Sequence, residues 1–254
     1  MRERILTMGA AGTGKTKQLL TVVNFIEDSK KMAFVIDLED KIEASLYSIG
    51  STPKNMKLYN ANSWDELVAG TNVNGKDMPS VLDQIEPLIK PDDWIMVDRV
   101  DLAWSFVQRW YTQNKYKEDL AELMMKKAVN ITKSFMVAPR FDQGSWQVIN
   151  EQYESFISKV LYKFRANVLL TCGVKIPEEG SNPLDAYGHI GVAPRGQKEL
   201  SHQPHSVFLL SQKRQNREIT WQITTAKDLP GRVYMDHEDL FDFGIQYLAQ
   251  YVKG

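Results

Sequence analysis

The stretch that decides the fold is Gly9-Ala10-Ala11-Gly12-Thr13-Gly14-Lys15-Thr16, which fits the pattern G-x-x-x-x-G-K-[ST]. An apolar run over residues 4–8 precedes it, and apolar residues recur at helical spacing over 19–26 after it. In such a strand, loop and helix, the glycines let backbone N–H groups turn towards an anion, and Lys15 adds a full positive charge. The sequence therefore predicts a phosphate-binding loop in which the Thr16 hydroxyl is directed at Mg²⁺.

The composition describes a chain with enough apolar residues for one large core and no net charge that favours a particular partner. Of its 254 residues 43% are hydrophobic, and we expect a single α/β domain over residues 1–254. Lys and Arg (31) nearly balance Asp and Glu (32), so any site for nucleic acid has to be a local patch. The single Cys172 excludes an internal disulfide framework, and no Cys/His cluster has zinc spacing. Because no apolar run could span a bilayer and the N-terminus leaves no room for a signal peptide, we expect a cytoplasmic protein without membrane contact.

Two further apolar runs end in acidic residues. Residues 32–36 lead into Asp37-Leu38-Glu39-Asp40, and residues 94–97 lead to Asp98. Ligands of open α/β sheets bind at the carboxyl ends of the strands, so these carboxylates are candidates for the site. Asp98 is predicted to be the carboxylate on the metal side of a phosphate-loop NTPase, with a structural cap as the alternative. For the first run the alternative is a solvated helix start with Asp40 as its cap.

The other patterns predict the flanking elements. We expect a helix over 41–49, a strand at Met56–Tyr59, a polar loop over 71–76, a helix from Ser80 to Ile89 and a long helix over 146–165. A buried strand at Asn167–Cys172 is followed by residues 173–197, whose glycines and prolines predict a long loop without a core element. Residues 206–210 and 219–224 read as an antiparallel hairpin at a sheet edge, and a helix over 240–252 closes the chain.

Two segments could contact single-stranded nucleic acid. Residues 100–111 are rich in aromatic side chains with lysines nearby (Lys126, Lys127, Lys133), which either stack on bases or pack in the core. Residues 195–232 carry a local excess of basic side chains, the electrostatic feature that polyanions require. These are Arg195, Lys198, Lys213, Arg214, Arg217, Lys227 and Arg232.

In this order of elements the chain resembles the RecA-like ATPases, and in particular compact RecA-like nucleotide-binding proteins of bacteriophages, some of which act in single-strand annealing. Residues 34–39 resemble the segment in which a Glu activates the water that attacks the γ-phosphate, which implies that role for Glu39. Asp98 matches the aspartate on the metal side, although Arg99 follows where the family commonly has a small hydroxyl residue. Residues 169–173 resemble the strand that leads to a γ-phosphate-sensing glutamine, but no glutamine stands there, and Thr171 or Lys175 would have to replace it.

The tail of the chain adds to the resemblance. Residues 196–202 and 224–232 are similar to the tail pattern of the phage group. In RecA-like filaments and rings, basic residues after the corresponding hairpin reach the γ-phosphate of the neighbouring subunit. The resemblance therefore implies Lys227 and Arg232 as fingers acting in trans. The alternative is that both are surface charges of a turn.

The predicted function is Mg²⁺-dependent ATP hydrolysis on a mostly parallel sheet flanked by helices, with ATP preferred over GTP by resemblance and by the absence of an N-K-x-D run. The resemblance implies a homo-oligomeric ring or filament, coupled to binding or annealing of single-stranded DNA, in a host cytoplasm if the chain is of phage origin. One alternative is a structural or packaging-associated phage protein with slow turnover. Another is a small-molecule kinase, which we disfavour because residues 136–146 and 173–197 offer only Arg140 and Arg195 for a phosphate lid. The site residues are predicted as follows: nucleotide, Gly9, Ala10, Ala11, Gly12, Thr13, Gly14, Lys15 and Thr16; metal, Thr16 and Asp98; catalytic, Lys15, Glu39, Lys227 and Arg232.

Overall fold

The computed structural model describes residues 2–50, 52–73, 75–131, 141–177, 187–215 and 218–251. The strands are β1 (Arg4–Gly9), β2 (Ala33–Asp37), β3 (Met56–Asn60), β4 (Thr71–Val73), β5 (Lys76–Met78), β6 (Trp94–Asp98), β7 (Asn167–Cys172), β8 (Val174–Lys175), β9 (Ala193–Pro194), β10 (Ser206–Gln215), β11 (Glu218–Asp228) and β12 (Glu238–Asp239). The helices are α1 (Lys15–Glu27), α2 (Ile42–Ile49), α3 (Val81–Ile85), α4 (Val100–Tyr116), α5 (Leu120–Ile131), α6 (Gln143–Ser158) and α7 (Ala249–Tyr251).

The main sheet explains why residues far apart in sequence can share one site. Its order is β12-β11-β10-β1-β7-β6-β2-β3, and every neighbouring pair from β10 to β3 is parallel. β11 pairs antiparallel with β10, and β12 with β11, so the expected mostly parallel sheet with a hairpin at its C-terminal edge is confirmed. Because parallel strands end at the same edge, the residues that follow β1, β2, β6 and β7 meet there.

The strands that carry the acidic residues are buried on both faces. Every residue of β2 and of β6 is buried, as continuous apolar runs predict for parallel strands. Their alternating side chains belong to two cores: Phe34 and Ile36 pack on one face, whereas Ala33 and Val35 pack on the other against α1. This two-sided burial fixes the register of each strand and hence the position of the residue that follows it.

Some of the predicted local structures differ from the observed ones in type or extent. Residues 71–76 are not a plain loop, because β4 and β5 form a small antiparallel hairpin there. The predicted Ser80–Ile89 helix ends at Ile85, although Ser80 does cap its N-terminus by accepting a hydrogen bond from Asp83 N at 3.2 Å. The helix predicted over 240–252 is present but begins later, as a π-helical turn at Gly244–Leu248 that continues into α7, and Val252 lies outside the described residues.

The segment predicted to be a long loop contributes to the core after all. Within residues 173–197, β8 and β9 pair with each other, and the side chains of Tyr187 and Ala193 are buried in the core. Two isolated apolar residues leave no periodic signal, which is why the sequence pattern missed them. Residues 178–186 lie outside the described part of the chain.

The aromatic residues of α4 serve the core. Trp104 stacks on Trp146 with ring centroids 6.1 Å apart and meets Tyr153 edge-on at 5.3 Å. This contact network favours packing over base stacking as the role of these rings. Lys126 and Lys127 have no described side chains, and Lys133 and residues 136–140, which include Arg140, lie outside the described residues. Among the helices that the structure describes, none has the length and apolar character needed to cross a bilayer.

Candidate functional site

The loop between β1 and α1 has the shape that its glycines predict. Gly12 and Gly14 have φ angles of +79° and +86°, a conformation that residues with a Cβ rarely adopt. Gly9 is required for a different reason: a Cβ there would stand 2.4 Å from Thr13 Oγ1 and 2.5 Å from the carbonyl oxygen of Leu210. The loop is therefore packed tightly between its own turn and β10, and this close approach leaves room only for backbone.

Lys15 opens α1 and turns back over the loop. Its Nζ donates to the carbonyl oxygens of Gly9 at 2.9 Å and Ala10 at 2.7 Å, and only 8% of the residue is exposed. Burial lowers the pKa of Lys15, and the nearby positive charge of Arg99 lowers it further, whereas Asp98 and Glu39 act in the opposite direction. A phosphate next to this ammonium group would relieve both unfavourable effects, so the loop is electrostatically suited to an anion.

Thr16 and Asp98 meet although 82 residues separate them. The Thr16 hydroxyl donates to Asp98 Oδ2 at 2.7 Å, and the Thr171 hydroxyl donates to Asp98 Oδ1 at 2.5 Å. Burial raises the pKa of Asp98, and these two hydrogen bonds oppose that shift. A carboxylate and a hydroxyl are oxygen donors of the kind that Mg²⁺ binds, and Mg²⁺ normally completes its shell with water and phosphate oxygens. The pair therefore fits this ion, even though the described residues contain no cluster of three metal-ligating side chains.

Two carboxylates at the end of β2 have different roles: Asp37 is structural, whereas Glu39 is available to the site. Asp37 accepts backbone hydrogen bonds from residues 39, 40, 41 and 42 at 2.7–2.9 Å, so it caps the start of α2. The expectation that Asp40 is the cap is wrong, because the N–H groups that lead into α2 donate to Asp37, and the Asp40 carboxylate accepts instead from Asn60 Nδ2 at 3.5 Å. Glu39 is a quarter exposed and accepts from Arg99 Nη1 at 3.0 Å and from Lys41 Nζ at 2.8 Å. Its carboxylate thus stands at the same edge of the sheet as Asp98.

Arg99 is a site residue that the sequence pattern hardly indicated. It has a φ of +66°, its N–H donates to Thr171 Oγ1 at 2.8 Å, and its guanidinium binds both oxygens of Asp101 at 2.9 and 3.0 Å. The hydrogen bonds to Asp101 raise the pKa of Arg99 further, so the group is always charged. The signal in the sequence was that an arginine stands where the RecA-like ATPases, which the chain resembles, commonly have a small hydroxyl residue. The structure uses it to connect Glu39 with a buried acid on α4.

The β10–β11 hairpin covers the outer side of the loop. Gln212 Nε2 and Trp221 Nε1 both donate to the carbonyl oxygen of Gly12, at 2.5 and 3.2 Å. Pairing of these residues directly opposite each other in the hairpin brings both donors to the same point. Sequence reasoning placed the hairpin at the sheet edge but could not place it against the phosphate loop.

Lys227 and Arg232 are not brought to the phosphate loop of their own chain. Lys227 pairs with Val207 near the start of β10 and donates to the carbonyl oxygens of His202 and Pro204 at 2.9 and 2.8 Å. Arg232 donates to both carboxylate oxygens of Glu3 at 2.9 and 2.8 Å. Both contacts lie at the edge where the parallel strands begin. The trans role of these residues, which concerns a neighbouring subunit, stays a prediction.

Arg195 lies at the site edge instead. Its N–H donates to the carbonyl oxygen of Gly173, the residue directly after β7, at 2.8 Å. Its Cδ lies 3.4 Å from the point that a Cβ on Gly173 would occupy. Since β7 lies between β1 and β6, the backbone of this exposed arginine lies between the phosphate loop and Asp98. Thr171, a suggested substitute for the sensing glutamine, is held instead by Asp98.

A wide groove of about 1100 Å³ opens elsewhere on the molecule. It is lined by residues such as Trp94 and Asn167, which begin β6 and β7, and therefore lies at the edge opposite the phosphate loop. It contains none of the residues described above. The chemistry of the side chains, and not the size of the cavity, identifies the site.

Comparison with known proteins supports the fold. The structure is similar to the crystal structure of the KaiC-like protein PH0186 from the hyperthermophilic archaeon Pyrococcus horikoshii OT3, with a TM-score of 0.52 and 14% identity over 91% of this chain and 82% of that chain. The chain has the RecA-like fold. No family model matches its sequence, and no curated protein matches it either. The RecA-like fold is thus established by structure, and the activity has to be argued from the site.

Proposed function

We propose that the chain binds Mg²⁺-ATP on residues 9–16 and hydrolyses it. The observation that carries this proposal is the contact of Thr16 with Asp98 at 2.7 Å, in a site where the charge of Asp98 also acts on the buried amino group of Lys15. An isolated glycine loop or a strand that ends in Asp is common. A hydroxyl of the loop helix, a buried carboxylate and a buried lysine at one point match what phosphoryl transfer requires of a protein, namely positioning and charge neutralisation.

Each residue of the site has a task that follows from its position. The backbone N–H groups of residues 12–16 and Lys15 would hold the phosphates, and Thr16 with Asp98 would hold the metal directly or through water. Mg²⁺ supplies neutralisation of charge on the phosphate oxygens. Glu39 orients the attacking water and accepts its proton. ATP, as the preferred nucleotide, rests on the family resemblance.

Arg99 gives Glu39 a defined position. Its guanidinium is anchored on Asp101, which is 4% exposed, and its remaining nitrogen reaches the Glu39 carboxylate. An anchored partner restricts the rotamers of Glu39 without occupying both of its oxygens. Lys41 also reaches Glu39, but its side chain is 62% exposed, so this second ion pair contributes little.

The test is phosphate release from Mg²⁺-ATP by four proteins. Lys15→Ala removes the phosphate cation and is expected to abolish binding and turnover. Glu39→Gln is expected to bind Mg²⁺-ATP as the wild type does and to lose at least 100-fold in kcat, a loss typical of removing a general base (on the order of 10²–10⁴). Glu43→Gln is the matched control, because Glu43 is an exposed glutamate on α2 that lacks a place in the site. Full turnover in Glu39→Gln would remove that residue from the proposed role.

Coupling to single-stranded DNA is the proposed downstream task, and its basis is narrower than the linear sequence indicated. The basic residues of 195–232 do not form one surface, since Arg195 lies at the site and Lys227 and Arg232 lie at the opposite edge. Lys213 and Arg214 are exposed on the part of β10 that extends past the end of β1, and Arg217 lies outside the described residues. Lys213→Ala with Arg214→Ala is expected to weaken binding of a labelled oligonucleotide and to reduce its salt dependence. Unchanged binding would remove the hairpin from that task.

Assembly into a ring or filament is proposed on the resemblance alone. An oligomer would allow Lys227 and Arg232 to approach the nucleotide of a neighbouring subunit. A sizing measurement with and without Mg²⁺-ATP tests it, and a monomer under both conditions would contradict the trans role. Hydrolysis is preferred to small-molecule phosphorylation because the role proposed for Glu39 is the activation of water.

A further inference from the structure

The hairpin places one aromatic ring beside the phosphate loop. Trp221 shares its sheet face with Ile223, which packs in the same core as Leu19 and Leu20 of α1. The ring therefore lies on the α1 side of the sheet, next to the helix that the phosphate loop opens. Its Nε1 is fixed on the carbonyl oxygen of Gly12, and its Cδ1 is 3.6 Å from the Cβ position of Gly14.

This ring is more exposed than packing alone requires. Trp221 is 39% exposed, whereas Trp64 and Trp94 are buried in the core. Its polar N–H group already has a partner, so what remains in solvent is an apolar surface. Lys17 Nζ lies 5.9 Å from the ring centroid, on the first turn of α1. An accessible indole beside a phosphate loop and a lysine offers stacking and positive charge together.

The position of the ring relative to the metal side indicates what it contacts. Asp98 ends β6 and Glu39 follows β2, on one flank of β1, whereas Trp221 belongs to the hairpin on the other flank. A triphosphate whose terminal phosphate is directed at Glu39 leaves its nucleoside end on the flank of Trp221. We propose that the base of the bound nucleotide stacks on the indole of Trp221, which makes this residue a determinant of nucleotide affinity. The inference rests on the proposed nucleotide binding and identifies the base subsite of that same site.

A purely structural role for Trp221 would give a different result. The bond from Nε1 to the Gly12 carbonyl anchors the hairpin on the loop, so loss of the side chain could loosen the loop itself. Such loosening would weaken every ligand of the loop equally. A stacking role would weaken only ligands that carry a base.

The experiment compares Mg²⁺-ATP with Mg²⁺-tripolyphosphate, which has the anionic chain without a nucleoside, by titration calorimetry. In Trp221→Ala the affinity for ATP is expected to fall roughly tenfold, in keeping with the loss of one base–aromatic stack, with affinity for tripolyphosphate unchanged. Trp221→Phe keeps an aromatic face without the N–H group and is expected to stay within about threefold of the wild type for ATP. Ile219→Ala, two residues along the same strand and also exposed, is the matched control with unchanged affinities.

A second readout uses the tryptophan emission itself. ATP is expected to quench the emission of the wild type, and this quench should be absent in Trp221→Phe. Equal losses for both ligands in Trp221→Ala, or no loss for ATP, would overturn the stacking proposal while leaving nucleotide binding intact. If tripolyphosphate does not bind detectably, the emission measurement decides. A quench by ATP in the wild type that is absent in Trp221→Phe supports stacking, and no quench in the wild type overturns it. A wild type that binds no ATP would instead overturn the proposed function, and with it this inference.

Discussion

Arg99→Ala tests the arrangement of the site most closely, because one substitution removes both the contact to Glu39 and the anchor on Asp101. The side chains of Arg99 and Asp101 are 16% and 2% exposed. Removing one member of a buried ion pair leaves the other charge unpaired and costs on the order of 3–5 kcal/mol. Since Arg99 is partly solvated, we expect the free energy of unfolding to fall by about 3 kcal/mol.

The effect on catalysis follows from the freed Glu39. Loss of a fixed orientation is expected to lower kcat about tenfold, equivalent to about 1.4 kcal/mol, with KM little changed. Unfolding in urea, followed by circular dichroism, measures the first effect, and phosphate release at saturating Mg²⁺-ATP measures the second.

Two control variants separate the causes. Lys41→Ala removes the exposed partner of Glu39 and is expected to change stability by less than about 0.5 kcal/mol and kcat by less than about twofold. Arg99→Gly should be more stable than Arg99→Ala by about 1 kcal/mol, since the backbone at this position has a positive φ. If Arg99→Ala unfolds and turns over as the wild type does, or if its kcat rises, the positioning argument is refuted.

Three further predictions test other parts of the account. Gly9→Ala forces a Cβ against Thr13 and Leu210 and should lower the free energy of unfolding by about 2 kcal/mol, with loss of ATP binding. The control Gly144→Ala, in α6, is expected to be neutral or stabilising. Equal urea midpoints for the two variants would contradict the packing argument. Asp98→Asn removes a charge that burial disfavours, so the metal-free protein should become more stable while its affinity for Mg²⁺-ATP falls. A less stable variant whose affinity in calorimetry is unchanged would exclude the metal role of Asp98. Arg232→Ala leaves the buried Glu3 unpaired and should lower the free energy of unfolding by about 3 kcal/mol, against about 1 kcal/mol for Lys227→Ala. Normal ATP turnover in Lys227→Ala would argue against a finger that acts in trans.

The parts of the site that were predictable are those encoded in short runs. The phosphate loop needs fixed residue types at fixed spacing, and the strands before Glu39 and Asp98 are continuous apolar runs, so both could be recognised locally. The contact between Thr16 and Asp98 followed because parallel strands end at one edge. The RecA-like fold could be expected from the order of these elements.

The parts that could not be predicted depend on pairing between distant segments. Asp37 rather than Asp40 caps α2, because the cap is decided by the turn of the backbone and not by residue type. The contact of Trp221 with Gly12 depends on the register of β10 on both β1 and β11. Arg99 was notable in the sequence only as a departure from the pattern of the RecA-like ATPases that the chain resembles, and its role depends on Asp101, which the sequence does not show to be its partner.

Titration of ATP into the wild type and into Lys15→Ala, each with Mg²⁺ and with Mg²⁺ removed by a chelator, tests the central claim most directly. The account predicts heat of binding for the wild type with Mg²⁺, clearly weaker binding without the metal, and no detectable binding for Lys15→Ala under either condition. Binding that is the same in both proteins, or that is indifferent to Mg²⁺, would contradict a nucleotide held on residues 9–16 with its metal at Thr16 and Asp98.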